Sequence, residues 1–310
     1  MRIAICLLFL VFTISVFGQT REEISKSAGD LYDKEEYSAA LGDYTKGLTL
    51  YPDDREFLLM KGNCLDRMKE LSDAYEAFSY LIQKHPAYSI GYNQRGLLLL
   101  RVQEFELALK DLNQAVALAE SDSVRLSALL NRGAVKFQTR DFEGTKNDLS
   151  EALKIDSLNL GVMNNLAIVS KELGNAEKAF YYLYKILEVE PENVGAISNI
   201  GFTYQELGRC DTAIHFFNKV IELNEDEGLG YSNRGYCYYK LGKLDLALKD
   251  VNRSLELYSS NAFAYRTRAL IYIAQGKNKD ACGDIDMALF YKFTTMYGDE
   301  VEELKKKYCQ

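Results

Sequence analysis

The chain has 310 residues, 47% hydrophobic and 26% charged, which are ordinary proportions for a soluble folded protein. A net charge of −8 argues against nucleic acid as the main partner, because phosphate binding needs a basic face. Only 3 Pro, no Trp and many Ala, Leu, Lys and Glu favour helix on intrinsic propensity.

The N-terminus departs from the rest. Met1-Arg2 is a short positive start, Ile3 to Phe17 is almost wholly apolar, and Val16-Phe17-Gly18 before Gln19 resembles a small-residue cleavage site. This is the pattern of a secretory signal peptide over residues 1–18. The apolar run is shorter than the roughly 20 residues that span a bilayer. An uncleaved anchor is the alternative, and Cys6, inside the apolar run, argues against a lipoprotein. The mature chain is expected to be exported, periplasmic or secreted, without a membrane span, and loss of Arg2 takes its charge to −9.

From residue 21 onward the chain repeats. Gly62 and Gly96 are 34 residues apart, Ala167, Gly201, Gly235 and Ala269 follow at the same step, and Gly133 fits after a three-residue insertion near Ser123–Arg125. A second series runs Ala40, Ala74, Ala108, Thr145, Ala179, Ala213, Ala247 and Ala281. Pro52, Pro86 and Pro191 each lie twelve residues after the small residue of their repeat. Eight units follow: 21–54, 55–88, 89–122, 126–159, 160–193, 194–227, 228–261 and 262–295. Each small residue is placed where two helices touch, as Gly235 against Ala247, because packed axes lie only about 8–10 Å apart. Flanking apolar residues such as Tyr231, Tyr238, Val251 and Leu255 recur at helical spacing. A turn glycine separates the helices of the last four units: Gly174, Gly208, Gly242 and Gly276.

This period, with a small residue in each of two helices and a terminal Pro, resembles the tetratricopeptide-repeat (TPR) family over residues 21–295. Departures are Ala28, Ala167 and Ala269 where Gly is usual, Thr145 for Ala, and several missing terminal prolines. The resemblance implies an all-α fold: a right-handed superhelical solenoid of eight helix–turn–helix repeats whose first helices form a concave wall. It also implies a protein or peptide partner. Residues 296–310 are expected to close the array, since a terminal repeat exposes an apolar face. Within them Asp299 is placed as an N-cap, with Val301, Leu304 and Tyr308 on one face; a partner-binding tail is the alternative.

Comparing repeats with one another reveals a pairing. Arg95, Arg132, Arg234 and Arg268 precede the first-helix small residue, and the same four repeats carry Asp111, Asp148, Asp250 and Asp284 sixteen residues later. The fifth and sixth repeats have Leu166 with Tyr182 and Ile200 with Phe216. Charge goes with charge and apolar with apolar. An ion pair bridging the two helices of each unit is expected, because a half-buried Arg is costly without a carboxylate.

Cys210 to Cys237 and Cys282 to Cys309 share a spacing of 27 residues. After export both pairs are candidate inter-repeat disulfides, with buried free thiols the alternative and Cys64 left over. There is no Cys-x-x-Cys, no His-Glu-x-x-His, no phosphate loop and no nucleophile motif. His85 and His215 are far apart, and Glu225-Asp226-Glu227 reads as a solvated turn. No catalytic residue, cofactor or metal is assigned.

What remains is the outward face of the first helices. In the later repeats Phe202, Gln205, Tyr236, Tyr239, Lys240, Phe263 and Arg266 mix rings with polar and basic groups, as a peptide-binding hot spot does. Rings filling gaps between adjacent first helices are the bland alternative. The reading is a non-catalytic interaction scaffold in the cell envelope that binds a partner segment in the groove. A self-associating structural unit and a regulatory subunit of an envelope enzyme are the alternatives, and no residue pattern assigns an oligomeric state.

Overall fold

Helix starts are written into the sequence as polar caps. Thr20 forms a reciprocal capping box with Glu23, and Asp54, Ser121, Asn159, Asn193 and Asn261 each accept a hydrogen bond from a free backbone N–H of the helix that follows. The structure, a computed structural model, describes residues 20–309. The expected export signal at residues 1–18 lies outside them.

Residues 20–158 form one unit of eight helices. They pair as α1 (Arg21–Asp33) with α2 (Tyr37–Leu50), α3 (Arg55–Arg67) with α4 (Leu71–Lys84), α5 (Ser89–Arg101) with α6 (Phe105–Leu118), and α7 (Asp122–Gln138) with α8 (Phe142–Ile155). Residues 159–309 form a second unit. It pairs α9 (Leu160–Glu172) with α10 (Ala176–Val189), α11 (Val194–Glu206) with α12 (Cys210–Leu223), α13 (Gly228–Lys240) with α14 (Leu244–Leu257), and α15 (Ala262–Ala274) with α16 (Asn278–Phe290). Two short helices, α17 (Phe293–Tyr297) and α18 (Glu300–Tyr308), complete it. Among the described residues there is no strand. Within each unit every helix packs against the next in sequence.

Hairpins close over the small residues. A Cβ on Gly62 would stand 2.4 Å from the Phe78 ring, and one on Gly235 would stand 2.8 Å from Val251 and 3.2 Å from the Ala247 carbonyl. A side chain there would push the helices apart. Gly133 differs, because a Cβ on it would meet nothing closer than 3.7 Å. Its partner is Thr145, whose hydroxyl donates to the Asp141 carbonyl at 2.9 Å and lies 3.3 Å from that of Gly133. The extra bulk of Thr is absorbed by a slightly wider contact and a satisfied hydroxyl.

The turn between helices is left-handed in all eight hairpins. Gly174, Gly208, Gly242 and Gly276 hold φ of 72–74° in the second unit, and Glu35, Lys69, Gln103 and Arg140 hold 60–64° in the first. The sequence marks this turn only where Gly fills it. The non-Gly residues carry a conformational cost of about 1 kcal/mol each, which packing of the flanking helices offsets.

Two boundaries move. The insertion near Ser123–Arg125 is a helical extension: α7 has 17 residues, against 13 for α5, and starts inside the segment assigned to the third repeat. Ser121 caps the lengthened helix, so the added residues cost no loop. At the other end α16 stops at Phe290, Lys292 turns left-handed at φ 62°, and α17 straddles the expected boundary at residue 295.

The four Arg–Asp pairs are bidentate. Arg95 meets Asp111 at 2.7 and 2.8 Å, Arg132 meets Asp148 at 2.9 and 2.6 Å, Arg234 meets Asp250 at 2.7 and 2.8 Å, and Arg268 meets Asp284 at 2.7 Å twice. The remaining Nη1 reaches back to the second helix of the preceding hairpin: Ser79, Asn113, Asn218 and Asn252, at 2.8–3.0 Å. Each Arg therefore ties three helices, a partner set the sequence comparison did not include. The Asp111 hydrogen bond holds the Arg95 guanidinium above its ordinary pKa. For Arg234, burial is the largest effect and works downward, and the hydrogen bond and charge of Asp250, with the nearby tyrosines, together outweigh it and hold the guanidinium above its ordinary pKa.

In the cap, Val301 is fully buried against Ala281, Ile285, Ala288 and Phe293, with Leu304 and Cys309 packed on the same cluster. Asp299 does not serve as a side-chain cap; only its carbonyl accepts, from Glu303 N–H. Its φ of −81° and ψ of 4° are already near-helical, which turns the carboxylate away from the free N–H groups. Cys282 and Cys309 are joined by a disulfide with Cα atoms 5.6 Å apart. The second expected bond, Cys210–Cys237, is absent: both residues are buried free thiols, as is Cys64. The two pairs share a spacing but not a register. Cys210 is the first residue of α12, whereas Cys282 is the fifth of α16, a full helical turn further along. Cys237 Sγ instead points to Gln205 Oε1 at 3.6 Å. Burial pushes the Cys237 thiol well up, with Cys210 adding to the rise, and burial pushes Cys64 up to about 11.

Two stability predictions follow from these contacts. Asp250→Ala should lower stability by about 3–5 kcal/mol in chemical denaturation, because it strands a buried guanidinium, whereas Arg234→Met with Asp250→Leu should cost far less. Reducing Cys282–Cys309, or replacing both residues with Ser, should remove about 3 kcal/mol from the second unit, seen as a lower melting temperature with dithiothreitol present.

Candidate partner-binding groove

The second unit carries a cavity of about 560 Å³ on the outward face of its first helices. Helical spacing builds its walls. Phe202 and Gln205 are one turn apart on α11, Ser232, Tyr236 and Lys240 follow at steps of four on α13, and Phe263 and Arg266 are one turn apart on α15. Tyr297 from α17 completes the rim.

Six of the seven residues expected in the groove line this cavity. The exception is Tyr239. Its ring packs on the Ala247, Val251 and Ile271 cluster and touches Tyr236 from behind, with centroids 6.4 Å apart. At about 3.6 residues per turn Tyr239 lies about 60° from Tyr236 on the side opposite Lys240, and about 100° from Lys240 itself, so it serves packing between hairpins. The rings of Tyr236 and Phe263 lie 5.5 Å apart and those of Phe263 and Tyr297 5.9 Å apart, forming a chain from α13 through α15 to α17.

Polar groups are set among these rings. Arg266 is 9% exposed, with its guanidinium 5.0 Å from the Tyr236 ring and 5.5 Å from that of Phe263. Glu300, the first residue of α18, accepts from its Nε at 3.0 Å and its Nη2 at 2.6 and 2.7 Å. Arg266 Nη1 has no hydrogen-bond partner among the described residues. Gln205 is nearly buried and receives the Cys237 thiol. At the edge, Lys171 pairs with Glu206 at 3.2 Å and lies 4.2 Å over the Phe202 ring. Lys240 is exposed and has no ion-pair partner among the described residues. Partial burial raises the Tyr297 phenol above its ordinary pKa, with Tyr258 adding repulsion.

Sequence reasoning missed Tyr297 and Glu300. Both lie beyond the last repeat, yet each stands 34 residues after a groove residue, Tyr297 after Phe263 and Glu300 after Arg266, so continuing the period past residue 295 is the signal that would have found them. It also missed that outward Asn residues link neighbouring first helices: Asn131 donates to Asn93 at 3.0 Å in the first unit, and Asn199 to Asn164 at 2.7 Å in the second.

Stacked helical hairpins with an aromatic cavity on their first helices define a helical-repeat interaction protein. The particular repeat is the tetratricopeptide: tetratricopeptide-repeat models match residues 27–89, 194–227 and 229–261, and the chain belongs to that family. Among solved structures, a tetratricopeptide repeat protein from Parabacteroides merdae is similar over 83% of this chain and 99% of its own, at 21% identity and a TM-score of 0.73. The C-terminal part of a TPR repeat-containing protein from Cytophaga hutchinsonii is similar over 75% of this chain and 95% of its own, at 17% identity and a TM-score of 0.56. These likenesses concern the fold. Among curated proteins, RNA polymerase II-associated protein 3 of Xenopus tropicalis is 26% identical over 113 residues, which is 36% of this chain and 17% of that protein. The chain thus spans only about a sixth of the length of that relative. The fold is that of a protein–protein interaction scaffold. No helix among the described residues is long and apolar enough to cross a membrane.

Tyr239→Ala should cost about 2 kcal/mol of stability through lost packing, whereas Lys240→Ala should leave the melting temperature unchanged; urea denaturation of the two variants side by side checks this.

Proposed function

We propose that the chain is an exported, non-catalytic scaffold of the cell envelope that holds a segment of a partner protein in the groove of its second unit. The observation that carries this reading is the run of rings from Tyr236 through Phe263 to Tyr297 around an open cavity, with Gln205 and Lys240 beside them. Aromatic side chains in a pocket edged by polar groups are the usual anchors of protein recognition. Export is supported by the basic start and apolar run at residues 1–18 and by the Cys282–Cys309 bond, since disulfides persist in oxidising compartments.

The test is in-cell crosslinking with mass spectrometry on the tagged protein, beside a Phe202→Ala/Tyr236→Ala variant of matched stability. A partner captured by the parent and lost from the variant is the expected result. Capture that survives both substitutions would move the interface away from this groove. Recovery of the chain's own copies alone would favour self-assembly.

A further inference from the structure

The cap does more than close the array. Closure of the apolar end is accomplished by Val301, Phe293 and Leu304. Tyr297 and Glu300 contribute little to it: Tyr297 is 56% exposed and the Glu300 side chain 44% exposed. Both are nevertheless held firmly at the groove. The buried Val301, the Cys282–Cys309 bond and the Lys305–Asp286 pair at 2.8 Å fix α18, and Phe293 holds the Tyr297 ring at 4.8 Å.

Their positions decide the charge of the cavity. Arg266 is the buried cation of the groove, and Glu300 neutralises it with a bidentate carboxylate. Glu206 is matched by Lys171. Lys240, at the rim, is the unmatched cation of the lining among the described residues. A partner carboxylate entering the cavity would meet an Arg266 already neutralised by Glu300, with Nη1 alone left to bond it, and would lose its own water, and desolvating charge is expensive. An aromatic or long aliphatic side chain would lose only apolar hydration and gain ring contacts.

We propose that α17 and α18 form a working wall of the groove, with Tyr297 and Glu300 selecting a partner segment that inserts an uncharged apolar side chain and sets an acidic residue beside it against Lys240. This rests on reading the cavity as the partner groove, and it adds the chemistry of the segment and the role of the cap.

The test uses two peptide libraries with random flanks, one fixed with Phe at the centre and one with Glu, passed over the immobilised full chain with its disulfide intact. The parent should retain the Phe library about tenfold better, a difference of about 1.4 kcal/mol, with Asp or Glu enriched beside the Phe. Lys240→Gln should remove that enrichment. Tyr297→Ala should weaken retention of the Phe library, and Glu300→Gln should raise retention of the Glu library by freeing Arg266. Circular dichroism and thermal melting verify that both variants fold, and Tyr297→Ala leaves the Arg266 pair in place if Glu300→Gln does not fold. Preference of the parent for Glu would overturn the proposal. If Phe202→Ala abolishes retention while Tyr297→Ala and Glu300→Gln change nothing, the groove stands and the cap's role in it falls. If the parent retains neither library, the groove reading falls as well.

Discussion

Two helices approach closely where small residues meet at the crossing, and the hairpins among the described residues are organised around such crossings, with Thr145 opposite Gly133 the bulkiest of them. Gly62 against Phe78 and Gly235 against Val251 show the geometry: the larger side chain of one helix occupies the space that a Cβ on the other would need. That contact places the first-helix Arg and the second-helix Asp face to face, so that Arg95, Arg132, Arg234 and Arg268 each find a carboxylate within hydrogen-bond distance. It also determines which first-helix positions turn outward, and so which residues are free to build a groove.

The Arg residues extend this order from one hairpin to the next. Each spends its third nitrogen on a Ser or Asn of the preceding second helix. A stack of hairpins relies on nearest-neighbour interfaces, and a directional polar contact at each interface specifies register in a way that apolar packing alone does not. Where Leu166 and Ile200 replace Arg, both side chains are fully buried, and in the sixth repeat the Tyr204 ring stacks on that of Phe216, the residue that stands where the other repeats carry Asp. Apolar volume there substitutes for the charge pair.

The end of the array closes the stack and also shapes the cavity beside it. A terminal hairpin must be covered, and α18 covers it with Val301 and Leu304. The same helix begins with Glu300 on Arg266, and the preceding one ends with Tyr297 beside Phe263. The disulfide to Cys309 therefore stabilises both the closure and the shape of the groove beside it.

Much of this was legible in the residues alone. The period of 34, the small-residue series and the Arg–Asp co-occurrence depend on local helical geometry repeated many times, so comparing repeats reveals them. The outward face of α11, α13 and α15 followed for the same reason, and Phe202, Gln205, Tyr236, Lys240, Phe263 and Arg266 do meet around one cavity. Tyr239 was misplaced because helical phase near a face edge is resolved only by the neighbouring hairpin that claims the ring. Cys210 and Cys237 share a spacing with the disulfide pair, but a bond depends on register between helices, which spacing does not carry. The left-handed turns at Glu35, Lys69, Gln103 and Arg140 leave no compositional mark, because packing rather than propensity holds them. Glu300 stands one period of 34 after Arg266, but residue spacing does not say that the cap docks, and only that docking brings the two charges together.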